Sequence, residues 1–241
     1  MKVKFFISAV MLLVATSASA QFQTGSSSSA ATASNEDEYS AIYFQYNPQT
    51  QKVDEKGADD ESGFKGIALG WKKGFKLMQS HPLFLEAGLA FQYTFYSDEA
   101  SDVEHEGQYT YGESIETKFN MGTLSVPLNL TYRYAIPSST ISIAPYAGLT
   151  LKGNLWAKHT QTITEYSGKK VYSEEEKCDY FDKDDMGGSD NTANRLQVAW
   201  QIGVNVNFPK FYLGIGYGSD LGDFTKKHTF STTYLTAGFN L

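Results

Sequence analysis

One stretch decides the fold: Pro82-Leu-Phe-Leu-Glu-Ala-Gly-Leu-Ala-Phe-Gln-Tyr-Thr-Phe-Tyr96. In an extended chain Leu83, Leu85, Ala87, Leu89, Phe91, Tyr93 and Phe95 share one face, while Phe84, Glu86, Gly88, Ala90, Gln92 and Thr94 share the other. This period of two belongs to a β-strand with one side fit for lipid. The pattern recurs within 193–208, where Leu196, Val198, Trp200, Ile202, Val204 and Val206 oppose Gln197, Ala199, Gln201, Gly203 and Asn205. It recurs again where Phe211, Leu213, Ile215 and Tyr217 oppose Tyr212, Gly214, Gly216 and Gly218; glycines there suit a narrow interior that a large side chain approaches closely.

Working outward, the period predicts strands over residues 39–46, 64–75, 82–96, 114–135, 140–158, 193–208, 210–218 and 229–241. The connections alternate in length. They are long at 47–63, 97–113 and 159–192, moderate at 219–228, and short at 76–81, 136–139 and 209. Such alternation is the pattern of an all-β, eight-stranded antiparallel up-and-down transmembrane β-barrel of the outer-membrane type, with long external loops and short periplasmic turns. An even strand number places both termini in the periplasm. The segment 114–135 changes phase, because Phe119 and Met121 are odd while Leu124, Val126, Leu128 and Leu130 are even. A bulge near Gly122 and Thr123 restores it, or the first half runs beyond the bilayer. The region from Gln161 to Tyr172 is also able to extend a hairpin, which leaves eight or ten strands open.

Composition agrees. The chain has 241 residues, 15% of them aromatic, with 21 Gly, six Pro and one Cys, which excludes disorder and a disulfide scaffold. A mean hydropathy of -0.36 reads as soluble only until lipid-facing and lumen-facing side chains are allowed to average out. Residues 1–20 have the form of a secretory signal: Lys2 and Lys4, an apolar run, then Ala18-Ser19-Ala20. Cleavage is expected between Ala20 and Gln21. Residues 21–38 form a Ser-rich periplasmic leader and 39–241 the barrel. Without Lys2 and Lys4 the mature chain carries 18 basic and 27 acidic side chains, a net -9 that disfavours a nucleic-acid partner. The three long connections sum to -14, so the external rim is acidic.

The run Thr123-Leu-Ser-Val-Pro-Leu-Asn-Leu-Thr-Tyr-Arg-Tyr134 resembles the strand centred on a Pro-Leu pair in the porin-like outer-membrane β-barrel domain family, which includes the PorT-like proteins. Ala144-Pro-Tyr-Ala-Gly-Leu149 is similar to that family's next strand, and Tyr212-Leu-Gly-Ile-Gly-Tyr-Gly-Ser-Asp-Leu221 to its penultimate one. This chain departs from the family where an inward Arg is frequent, having Gly214 and Gly216 there. The resemblance implies fold and outer-membrane location; activity does not follow from fold. Leu235, Ala237, Phe239 and Leu241 share one face of a terminal strand that looks like the segment by which the barrel-assembly machinery selects clients.

Several constellations are candidates for chemistry. Lys72, Glu86, Gln92, Asn129, Arg133, Lys152, Gln197, Gln201 and Asn205 fall on inward positions, where a barrel of eight strands is just wide enough to be filled and buried charges must pair. A polar plug is the expected result and a narrow gated pore the alternative. His81, His105, His159 and His228 are scattered, without a nucleophile elbow or paired carboxylates, so no enzyme is expected; a lipid-modifying activity is the competing reading. The run from Asp182 to Asp190 gathers carboxylates but has Met186 and Ala193 where an EF-hand needs oxygen ligands, and Lys169 and Lys170 mark a solvated turn. No cofactor or metal site is expected. The partners implied are outer-membrane lipid and lipopolysaccharide, the assembly machinery, and an external ligand or secretion partner met by the acidic loops.

Overall fold

A computed structural model describes residues 37–53, 62–188, 191–226 and 228–241; the signal, its cleavage point and all but the last two residues of the leader lie outside these. The strands are β1 (Glu38–Tyr46), β2 (Gln49–Val53), β3 (Ser62–Met78), β4 (His81–Glu106), β5 (Tyr109–Tyr132), β6 (Tyr134–Ala135), β7 (Ser142–Gly168), β8 (Lys170–Asp179), β9 (Leu196–Asn207), β10 (Phe211–Asp220) and β11 (His228–Asn240). β1 and β2 are halves of one barrel strand. Across the break the Asn47 amide donates to the Gly66 carbonyl and the Thr233 amide to the Pro48 carbonyl. β5 and β6 are joined in the same way across Arg133, whose amide donates to Pro82.

Antiparallel pairing runs β1-β11-β10-β9-β7-β5-β4-β3 and closes from β3 back to β1, a ring of eight. Closure leaves no bare edge within the ring, the condition for a sheet to cross hydrocarbon. The outward face is apolar. Leu69 is 67% exposed, Ile215 54%, Ile202 52%, Leu130 and Leu213 51%, together far more greasy surface than a soluble monomer presents. On β4 the belt runs from Leu83 to Tyr93, about the length of a tilted bilayer-crossing strand. Aromatic pairs bracket it: Tyr93 on Phe95, Phe91 by Trp156 and Trp200 by Tyr217 at one end, Phe208 stacked on Phe211 at the other. Tyr96 turns inward onto Phe64.

The short connections and both described ends of the chain share one end of the barrel. At the other, the mouth, two long connections prove to be strands. Residues 97–106 pair with 109–118, and 158–167 with 170–179. Each of these hairpins turns at a glycine of positive φ, Gly107 (61°) and Gly168 (68°), as a two-residue hairpin turn needs. β4, β5, β7 and β8 therefore continue past the belt as a four-stranded extension. Pairing of β4 with β3 ends at Phe95.

The expected bulge exists, but not in the expected strand. The register shift at Gly122 and Thr123 lies between β5 and β7, and the extra residue is Leu155 on β7. β5 keeps its phase: Phe119, Met121, Thr123, Asn129 and Thr131 are all buried. Its apparent change of phase arises because the interior itself changes from polar to apolar near the mouth.

Inside the barrel, tyrosines opposite glycines fill the width. Tyr39 faces Gly74, Tyr43 faces Gly70, Tyr146 faces Gly203 and Tyr212 faces Gly238. In each pair a Cβ on the glycine would overlap the tyrosine ring, so glycine makes the space into which the ring folds.

Candidate functional site

The polar interior is built from alternate positions of every barrel strand. Lys72 Nζ lies 3.2 Å from a Glu86 carboxylate oxygen, and Glu86 also accepts from the Tyr39 hydroxyl. The Lys72 ammonium sits 4.4 Å over the Tyr212 ring. Lys152 pairs with Asp220 at 2.6 Å. Gln197 donates to the other Asp220 oxygen and accepts from Asn154, which also accepts from Thr123. Gln201 donates to Asn129 at 2.7 Å. Gln92 accepts from Asn47 and donates to Thr94. Asn205 packs against the space above Gly214. The nine residues predicted for the lumen thus all face inward, and seven of them, Lys72, Glu86, Gln92, Asn129, Lys152, Gln201 and Asn205, surround a lumen cavity of about 60 Å³.

Arg133 departs from the expectation that each inward charge has an ionic partner. It is 7% exposed, its Nη1 has no hydrogen-bond partner, and its guanidinium lies 4.1 Å over the Tyr39 ring and 5.7 Å from that of Phe84. Ring faces stabilise the cation, which forms no ion pair among the described residues.

Asp220 was missed because the alternation fades after Gly218, so residues 219–228 read as a connection. Of the inward tyrosines, Tyr212 was read on the face opposite the lipid-facing row, whereas Tyr39, Tyr43 and Tyr146 were missed because a tyrosine on a barrel strand fits either face.

Towards the mouth the interior becomes an apolar cap of Phe64, Phe119, Met121, Ala157, Ala193, Phe224 and Phe230, with Tyr96, Tyr180 and Phe181 packed against it. Residues 180–188, 191–195 and 221–226 fold over the opening to complete it. The Tyr180 amide donates to Ala157, Ala193 to Tyr180, and Asn194 to Phe224. Arg195 stacks 4.0 Å over Phe181. Ring pairs of this kind add about 0.5–1.5 kcal/mol each beyond the area they bury.

The acidic connections 97–113 and 159–192 are therefore largely sheet, a correction to their reading as loops. Like charges stand directly opposite one another there: Asp102 faces Glu113, Glu113 faces Glu165, and Glu99 faces Glu116. Such pairs destabilise a sheet. Lys118 answers Glu116 at 2.6 Å and Lys177 answers Glu175 at 2.5 Å.

The histidines are dispersed. His81 contacts Ser80, His105 contacts Thr110 and His228 contacts Thr225. In the described part of the 182–190 run, the Asp182 carboxylate accepts from the Asp184 amide and the Asp185 carboxylate from the Asp179 amide. Among the described residues no group of three or more potential metal ligands converges. Cys178 lies near Met186. Burial, then Asp185, Asp179 and Glu176, push its thiol pKa above the ordinary value. Leu235, Phe239 and Leu241 point outward and are exposed.

These features define an outer-membrane-type barrel with a filled lumen, a capped mouth and a projecting acidic sheet. No protein-family model matches the chain, and no curated relative does. Similar solved structures include the attachment invasion locus protein Ail of Yersinia pestis bound to the heparin analogue sucrose octasulfate, at 14% identity and TM-score 0.44 over 86% of this chain and 100% of that one. Neisserial surface protein A is similar at 13% identity and TM-score 0.36, over 84% and 96%. The N-terminal β-barrel domain of Pseudomonas aeruginosa OprF is similar at 12% and 0.29, over 83% and 97%. At these identities and scores neither ligands nor residue roles transfer to this chain.

Proposed function

We propose that the chain is a non-enzymatic outer-membrane protein whose barrel holds it in lipid and lipopolysaccharide. It acts outside the cell by docking an external ligand or partner protein on the acidic extension. The signal delivers it to the periplasm, and the assembly machinery engages the terminal strand bearing Leu235, Phe239 and Leu241. Both termini are then periplasmic, with the long hairpins outside. The observation carrying this reading is that β4, β5, β7 and β8 stay paired well past the apolar belt while the lumen beneath them is occupied by ion pairs and rings. Strand length spent outside lipid adds surface for a partner and contributes nothing to spanning the bilayer.

The purified protein is expected to give no steady current in planar bilayers. Conductance of porin magnitude would make the lumen a pore and overturn the reading. The secretion role implied by the PorT-like motifs is a narrower form of docking, and it requires stoichiometric partners in pull-downs from cross-linked membranes.

A further inference from the structure

Five aromatic rings in the mouth form a closed circuit. Phe64 meets Phe119 with ring centres 5.1 Å apart, Phe119 meets Tyr180 at 5.6 Å, Tyr180 meets Phe224 at 6.0 Å, Phe224 meets Phe230 at 5.3 Å, and Phe230 returns to Phe64 at 5.5 Å. All five line one partly open cavity of about 100 Å³. A core packed for stability alone leaves few voids larger than a water molecule, and here the five rings line one. Aromatic faces attract a cation held within ~6 Å of their centres.

The surrounding charge has the matching sign. Among the described residues no lysine or arginine lines the cavity. Thr117 does, and in register Asp98 stands opposite Thr117 and Glu176 opposite Gln161, two carboxylates on the strands that run past the cavity. His159 lies on that wall with an Nε2 lacking any hydrogen-bond partner, a spare polar atom for a ligand with a hydroxyl arm. A neutral apolar guest would use the rings but would gain nothing from the carboxylates.

We propose that this cavity binds a quaternary ammonium head group of the choline type. The site goes beyond the docking role proposed above, because it lies in the barrel mouth and takes a small cation.

The test is calorimetry on the mature full-length protein in maltoside micelles free of choline lipids. The titrants are choline and its uncharged isostere 3,3-dimethylbutan-1-ol. Saturable choline binding, at least tenfold tighter than that of the alcohol, is expected. Tyr180→Leu, which keeps apolar bulk and removes the ring, should weaken choline roughly three- to thirty-fold, and Asp98→Asn should weaken it while leaving the alcohol unchanged. Phe64→Leu serves if Tyr180→Leu loses the folded gel mobility. Equal affinity for the two titrants, absence of saturable choline binding, or an unchanged affinity in a folded ring variant would each overturn the proposal.

Discussion

The Lys72–Glu86 pair offers the sharpest energetic test of the filled lumen. Both side chains are almost wholly withdrawn from solvent, 11% and 4% exposed, and the ammonium lies 3.3 and 3.2 Å from the two carboxylate oxygens. Removing one partner leaves the other charge in a low-dielectric interior, which costs about 3–5 kcal/mol, whereas replacing both by apolar groups of similar volume is often close to neutral. Lys72→Met strands Glu86 with only the Tyr39 hydroxyl, and Glu86→Leu strands Lys72 over the Tyr212 ring. Each single variant should therefore lose about 3–5 kcal/mol. The double variant should lose far less than the sum, a coupling at or above the upper end of the 0.5–3 kcal/mol usual for residues in contact. Urea unfolding from lipid vesicles, followed by tryptophan fluorescence and unboiled gel mobility, measures all three. Two single variants each costing under about 1 kcal/mol, the range of an exposed pair, would refute the argument, because the pair would then be solvated and the lumen open.

Phe119→Ala should cost about 3–5 kcal/mol in the same assay through the cavity it leaves in the apolar cap; a cost below about 1 kcal/mol would mean that the cap is not packed. Because burial and three carboxylates raise the Cys178 pKa, less of it is thiolate at neutral pH than in an open peptide. Its alkylation by iodoacetamide should be slower there, reach its plateau at higher pH, and quicken at neutral pH in Asp185→Asn, whereas a plateau at or below the ordinary thiol range would contradict this. N-terminal sequencing of the membrane-bound form should begin at Gln21; an intact Met1 would remove the export signal from the account.

What was legible in the sequence follows from where one environment holds over a whole strand. From Leu83 to Phe95 lipid lies on one side and a polar lumen on the other, so alternation stands out and the ring of eight can be read off. The inward positions of Lys72, Glu86 and Lys152 follow from the same parity. Legibility fails where the environment changes along a strand. Phe119 and Met121 are as inward as Asn129, but they enter an apolar cap and so mimic lipid-facing residues out of phase. Residues 97–106 and 170–179 have water on both faces, so little marks their pairing and they read as acidic loops, with only a hairpin extension over 161–172 in view. The tie between Lys152 and Asp220 spans 68 residues and joins a strand interior to a strand end, a meeting that only the closed ring produces. Arg133 gave no sign that its partner is a ring face, since any Arg facing a lumen first suggests a carboxylate.

The central claim, that the outward face of a closed barrel lies against lipid, is tested most directly by a nitroxide scan of β4. Single cysteines would be placed from Leu83 to Phe95 in a Cys178→Ser background reconstituted in phospholipid vesicles. Odd positions should show high collision rates with oxygen and low rates with a water-soluble nickel chelate, and even positions should be low with both. Absence of a period of two, or odd positions open to the chelate, would contradict the account.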